Sequence, residues 1–288
     1  MTYKEIIRKI KNLEIQGAEK IAVKAVEAFA MKLKETQDLK QLKKYAKELK
    51  ETRPTEPALR NGINYCLNNY KTHPKISEEV LSHFKKGKEE IAKTGAKKIK
   101  NGMIVFTHCH SSTVTKILIT AKKEGKKFEV FNTETRPKFQ GRITAEELAD
   151  HKIPVTHFVD SAGRSMIKKA DLFLFGCDAI TSEGLVINKI GTAMLAESAK
   201  DFNIPSYTCT NSWKFNPQTV YGEPEKIEQR DIKEVWDKAP KGVTIYNPAF
   251  EITSPDLLTG IISEIGVFKP ETFVLQIQEN FPWMITKD

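Results

Sequence analysis

The chain has 288 residues, 40% of them apolar and 29% charged, which suits one large globular domain or two small ones. No apolar run approaches the ~18 residues of a membrane span. The opening MTYKEIIRKIKN lacks the apolar stretch of a signal peptide, so a cytoplasmic location is expected. Cys66, Cys109, Cys177 and Cys209 are widely spaced with no CxxC pair, which argues against a disulfide framework or a structural zinc site.

The formal charge is +9, and residues 1–100 hold 24 of the 46 Lys and Arg but only 13 of the 37 Asp and Glu. The basic excess therefore lies in the first third. It is mostly Lys on helical faces, where a solvated surface is the plain reading and a polyanionic small molecule the next. No zinc-finger spacing or clustered aromatic signature supports nucleic acid.

Residues 1–101 read as a helical N-terminal domain. Apolar residues recur at helical spacing over 3–34 (Ile6, Ile7, Ile10, Leu13, then Ile21, Ala22, Ala25, Phe29), interrupted at Gly17. A second run, 39–49, stops before Thr52-Arg53-Pro54. A residue before proline avoids the helical region, so Arg53 is expected in an extended turn. Helices are also expected over 58–70 and 77–99, the latter starting at Ser77 with Glu78 and Glu79 behind it.

From Gly102 the pattern changes. Short β-rich runs at 103–107, 128–132, 155–159, 172–175 and 206–210 alternate with helical stretches at 113–123, 144–151, 161–169 and 189–202, and 243–246 is expected as a sixth strand. Apolar strands separated by helices imply a buried, mostly parallel sheet. Residues 102–288 are thus expected to form a doubly wound α/β domain behind the helical cap. Such sheets bind ligands at the carboxyl ends of their strands, so the residues just after each strand matter most.

After the first strand stands Thr107-His108-Cys109-His110-Ser111-Ser112, leading into a helix. A helix N-terminus would lower the Cys109 pKa, and Ser111 and Ser112 would cap the helix or hold a phosphate. Cys109 alone reads equally as a small buried side chain, and adjacent histidines point different ways, so no metal is expected. After the second strand, Arg136, Lys138, Gln140 and Arg142 suit an anion or a sugar hydroxyl, and Glu51-Thr52-Arg53-Pro54-Thr55 nearly repeats the preceding ETRPK. Asp178, after the fourth strand, reads either as a cap or as an acid whose pKa desolvation would raise. Asn188-Lys189 and the Lys214 region complete a polar rim. There is no GxGxxG or GxxxxGK[ST], and no cofactor is expected.

The segments THCHSS, TETRPKFQGRITAEEL, DSAGRSM, GCDAI, VINKIGTAMLA and SWKFNP resemble the family that joins the regulatory subunits of translation initiation factor 2B to two sugar-phosphate isomerases. One isomerase acts on 5-methylthioribose 1-phosphate, the other on ribose 1,5-bisphosphate. ETRPT at 51–55, THCHS at 107–111 and the C-terminal YNPAFEITSPDLLTGIISEIG are most similar to the archaeal ribose-1,5-bisphosphate isomerase branch. The resemblance implies a Rossmann-like catalytic domain with Cys109 and Asp178 as the catalytic pair, which the initiation-factor subunits generally lack. It implies Arg53 on a phosphate with Ser111 or Ser112 assisting. Arg136 and Gln140 would line the site, Asn188 and Lys189 would contact sugar hydroxyls or phosphate, and Lys214 would approach a second phosphate. It further implies a sugar-bisphosphate substrate, a role in nucleoside monophosphate breakdown, and a homo-oligomer, a dimer or a trimer of dimers.

One departure stands out. The family's Arg-Gly-Ala is here Gln16-Gly17-Ala18, so a phosphate-binding charge is missing unless Lys20 supplies it. Cys177, where the family more often has Ala, reads as a small buried residue. Phe281-Pro282-Trp283 reads either as interface or as packing. The alternatives to a bisphosphate isomerase are the methylthioribose-phosphate isomerase and a non-enzymatic regulatory subunit.

Overall fold

The computed structural model describes residues 1–285. The helical region comprises α1 (Tyr3–Lys11), α2 (Ala18–Glu35), α3 (Leu39–Lys50), α4 (Pro57–Asn69) and α5 (Ile76–Ala96). Gly17 separates the first two helices as expected, as the α2 N-cap with φ +88. Ser77 is not the cap of α5: it lies buried in the first turn, and Lys75 precedes the helix without a side-chain cap. Glu78 and Glu79 do sit in that turn, where acidic groups favour the helix dipole.

The rest of the chain runs β1 (Ile104–Thr107), α6 (Ser112–Lys123), β2 (Glu129–Thr133), α7 (Gln140–Asp150), β3 (Val155–Phe158), α8 (Gly163–Ile167), β4 (Leu172–Phe175), β5 (Ala179–Ile180), β6 (Val186–Lys189), α9 (Thr192–Asp201), β7 (Ser206–Cys209), β8 (Phe250–Thr253), β9 (Gly260–Ser263), β10 (Gly266–Phe268) and α10 (Pro270–Asn280). Seven strands form one sheet in the order β10-β9-β7-β4-β1-β2-β3, parallel except for β10. Strands β5, β6 and β8 form a separate antiparallel sheet.

Two further expectations need correction. Residues 243–246 are irregular, with Val243 and Tyr246 exposed, and the sheet is instead extended by β9 beside β7. Lys189 ends a strand and does not begin a helix, which starts at Thr192.

The central strands show why the sheet forms. Phe106, Phe173 and Phe175 belong to one apolar cluster with Leu195, Ala196 and residues of α1 to α4, while Val105, Leu172 and Leu174 belong to the other with Ile91, Ile117 and Leu118 from α5 and α6. Side chains alternate across a strand, so strands apolar at every position can only lie between two layers. The rings of Phe106 and Phe173 meet edge-on at 5.5 Å, and burying each contributes roughly 1.5–3 kcal/mol. The helical region is joined to the sheet through α5, which lies along α6, and through Asn61 of α4, whose amide donates to the carbonyls of Trp213 and Phe215 at 2.8 Å. Trp283 packs its ring against Tyr65 and Trp213, at 4.8 and 5.1 Å. Among the described residues no helix is long and apolar enough to cross a membrane.

The chain leaves β1 toward β2 and β3, and leaves β4 toward β7 and β9. The strand order therefore reverses between β1 and β4, and the crevice at their carboxyl ends is the place for a ligand.

Candidate active site

Cys109 stands two residues beyond β1 and Asp178 three beyond β4, on either side of this crevice. Gly176 brings the two loops together: a Cβ there would lie 2.8 Å from both Cβ and Oγ of Ser111. Ser111 caps α6, accepting a hydrogen bond from the Val114 N–H at 3.4 Å.

The Cys109 backbone has φ +66 and is held on every side. Its N–H donates to Thr135 Oγ1 at 3.0 Å, and its carbonyl accepts from Thr144 Oγ1 at 2.9 Å. Thr135 is fixed by Asp160, whose carboxylate accepts from the Thr135 and Arg136 N–H groups at 2.8 and 2.7 Å. The loop closes on Gly141, where a Cβ would fall 1.8 Å from the Thr133 carbonyl oxygen, so no side chain fits. Buried His108 spans Thr133 Oγ1 at 2.6 Å and the Ile190 carbonyl at 2.8 Å, which ties the cysteine loop to the end of β6. Burial holds the His108 pKa down, so the ring acts as a neutral brace.

Asp178 is half-buried, and burial raises its pKa while Lys214, Lys189 and Arg53 pull it back. The expectation for Cys109 is overturned. Burial pushes its thiol up to about 11, against the opposing charge of Lys189. Cys109 lies before the cap of α6 rather than in its first turn, and the helix dipole falls off within about one turn, so desolvation wins. Alkylation by iodoacetamide should accordingly rise about tenfold per pH unit through neutrality, with half-ionisation near pH 11. Cys66, Cys177 and Cys209 are fully buried, so mass spectrometry should find the early label on Cys109. A plateau below pH 9 would contradict this.

Lys214, buried on the short 3-10 turn after β7, donates to the Cys177 carbonyl. Cys177 is buried as expected, its thiol donating to the Ala179 carbonyl at 3.1 Å. Buried Asn188 donates to Thr192 Oγ1 at 2.9 Å, and Lys189 bears electrostatically on both Cys109 and Asp178. Arg53, in the turn between α3 and α4, is buried beside Asp178, with Nη2 2.8 Å from Glu228 and 3.5 Å from Glu56. The helical region thus delivers a guanidinium to the crevice.

Other expected residues lie outside this cluster. Arg136 is exposed, donating to the Val235 carbonyl at 3.2 Å and lying over the Phe139 ring. Gln140 opens α7 with a buried Oε1 that has no hydrogen-bond partner. Gln16 is exposed and spends its amide on the Leu13 carbonyl at 2.8 Å; Gly17 and Lys20 are exposed and Ala18 is buried. Near this corner stands a residue that sequence reasoning missed. Lys88 of α5 bridges Glu19 of α2 at 3.3 Å and Ser112 of α6 at 2.9 Å, placing a cation at the start of α6. Glu56 and Glu228 were missed as well. Glu56 lies three residues after Arg53, whereas only the long-range pairing with Arg53 marks out Glu228.

The model of the Initiation factor 2 subunit family matches residues 14–270. The ribose 1,5-bisphosphate isomerase of Thermococcus kodakarensis is 38% identical, with 98% of this chain and 95% of that protein covered. The ribose 1,5-bisphosphate isomerase of Methanocaldococcus jannaschii is also 38% identical, covering 98% and 96%. Among solved structures, the translation initiation factor eIF-2B of Pyrococcus horikoshii OT3 superposes with a TM-score of 0.84 at 30% identity, covering 94% of this chain and 98% of that one. With this sheet order, this crevice and these matches along nearly its whole length, the chain belongs to the Initiation factor 2 subunit family.

Proposed function

We propose that the protein is a sugar-phosphate isomerase converting ribose 1,5-bisphosphate to ribulose 1,5-bisphosphate, with Asp178 as acid and Cys109 as base. The observation that carries the reading is the joint placement of Cys109 and Asp178 at the β1/β4 crossing, among three cations that come from separate parts of the chain, Arg53, Lys189 and Lys214. Full-length relatives named as ribose 1,5-bisphosphate isomerases support the substrate.

Phosphate on carbon 1 locks the sugar as a ring, so the aldehyde is masked and the ring has to open with phosphate in place. Asp178, whose pKa burial raises, enters the reaction as the protonated acid and donates to the ring oxygen as the C1–O bond breaks. The Cys109 thiolate takes the proton from carbon 2, and that electron pair forms the C1=C2 bond of an enol phosphate. Asp178 then accepts the proton of the carbon 2 hydroxyl while the Cys109 thiol protonates carbon 1. The ketose forms and both residues return to their starting states.

Forming the thiolate at pH 7 from a pKa of about 11 costs about 5 kcal/mol, and Lys189 is the cation placed to reduce this. An enol phosphate loses phosphate if water reaches it. The helical region that carries Arg53 is therefore assigned to cover the site. Gln16-Gly17-Ala18 lies at its outer edge, with Lys88 supplying the charge there. Arg136 and Gln140 are assigned to the lining of the entrance.

The test offers ribose 1,5-bisphosphate and 5-methylthioribose 1-phosphate to the folded protein and follows ketose formation. Turnover of the bisphosphate supports the reading. Turnover of the methylthio sugar alone moves the substrate to the sister activity, and binding of either without turnover marks a regulatory sugar-phosphate binder. The expected self-association is supported by Ile232, Trp236, Val243 and Tyr246, apolar side chains exposed on one irregular segment. A monomeric mass by light scattering would contradict it.

A further inference from the structure

Arg53 stands between two carboxyls that differ in kind. Glu56 follows it in the same turn, with its side chain 3% exposed and Oε1 3.5 Å from the guanidinium. Its Oε2 is buried without a hydrogen-bond partner. Glu228 arrives from the irregular connection at 222–249, with its side chain 26% exposed and Oε2 2.8 Å from Arg53 Nη2.

Burial beside Asp178 pushes Glu56 up to about 8, so at neutral pH it is largely uncharged and leaves the Arg53 charge unbalanced. Glu228 is the carboxylate that neutralises it. Glu228 also has a second cation: its Oε1 lies 3.6 Å from Arg230 Nη1, and Arg230 in turn binds Glu234 at 2.8 Å. The backbone on either side is pinned, with the Ala249 N–H donating to the Glu228 carbonyl at 2.8 Å and the Arg230 N–H to the Asn247 carbonyl at 2.9 Å. The side chain can thus leave Arg53 for Arg230 and water without moving its backbone.

We infer that Glu228 is the resident counter-ion of the Arg53 anion position, and that it sets selectivity there by yielding only to a dianionic phosphoryl group. The inference rests on the sugar-bisphosphate reading. A phosphoryl group brings two charges and three acceptor oxygens to a guanidinium that presents a fork of donors, so it outcompetes a single carboxylate. A neutral substituent or a monoanion gains too little to displace a paired and partly buried carboxylate. Protonated Glu56 assists, since its Oε2, which has no partner, donates to a phosphate oxygen once Glu228 has left.

The experiment measures inorganic phosphate binding by calorimetry and the KM for ribose 1,5-bisphosphate in the wild type, Glu228→Gln and Glu228→Gln with Arg53→Gln. Gln keeps the shape of Glu and removes its charge. The phosphate Kd and the KM should each fall about two- to fivefold in Glu228→Gln, the scale of a partly exposed ion pair. The gain in phosphate binding should vanish when Arg53 is also replaced, because the two residues are coupled. Arg230→Gln, which leaves the Glu228 carboxylate to Arg53 alone, should weaken phosphate binding. Phosphate binding by Glu228→Gln no tighter than by the wild type overturns the inference, as does a gain that survives the loss of Arg53. A folded wild type without turnover, whose Glu228→Gln variant still gains phosphate affinity, sinks the isomerase reading and leaves the role of Glu228 standing.

Discussion

Asp178→Asn and Cys109→Ser should each lower kcat by about 10²–10⁴-fold, the usual contribution of a positioned acid or base. Asn keeps the shape and neighbours of Asp178 but has no proton to give to a ring oxygen. Ser keeps the size of Cys109, yet a hydroxyl ionises far less readily than a thiol. The Asp178→Asn variant carries its own control. A protonated Asp178 carries no charge, so Asn in its place should leave thiol alkylation at neutral pH near the wild-type rate while turnover collapses. Labelling of the buried Cys66, Cys177 and Cys209 along with Cys109 would indicate a damaged fold. Turnover within a few-fold of wild type in either variant would remove that residue from the chemistry.

Lys214→Met should raise the KM for the bisphosphate by about 10–100-fold, the equivalent of one charged hydrogen bond of roughly 1.5–3 kcal/mol. Lys214 is buried, and its ammonium is the largest influence opposing the upward shift of Asp178. Met preserves the apolar stem, so the loss reports the charge. Steady-state kinetics check it: an unchanged KM would show that no phosphate lies near Lys214.

The legible part of this molecule was set by local pattern. The runs at β1, β2, β3, β4 and β7 are short and rich in β-branched and aromatic residues, are separated by helical periodicity, and end in Cys109, Asp178 and other polar residues that only a ligand-facing edge tolerates in such number. Arg53 was legible because Pro54 forces a turn. Strand β9 was not: Gly-Ile-Ile-Ser is four residues long, and only its pairing with β7 makes it a strand. Residues 243–246 have the composition of a strand but no neighbour to pair with, so they stay irregular. The ionisation of Cys109 was misjudged because a sequence reveals the helix that follows but not the burial that outweighs it. Glu228 and Lys88 act through residues 175 and 24 positions away, Arg53 and Ser112, a coupling that no local pattern records.

The fate of the hydrogen on carbon 2 tests the acid–base account most directly. Ribose 1,5-bisphosphate deuterated at carbon 2 should be converted in ordinary water to ribulose 1,5-bisphosphate that has lost part of its label, because the deuteron rests on the Cys109 sulfur before it reaches carbon 1. Ketose carrying all of the deuterium at carbon 1, at every extent of reaction, would mean direct hydride transfer and would contradict Cys109 as the base.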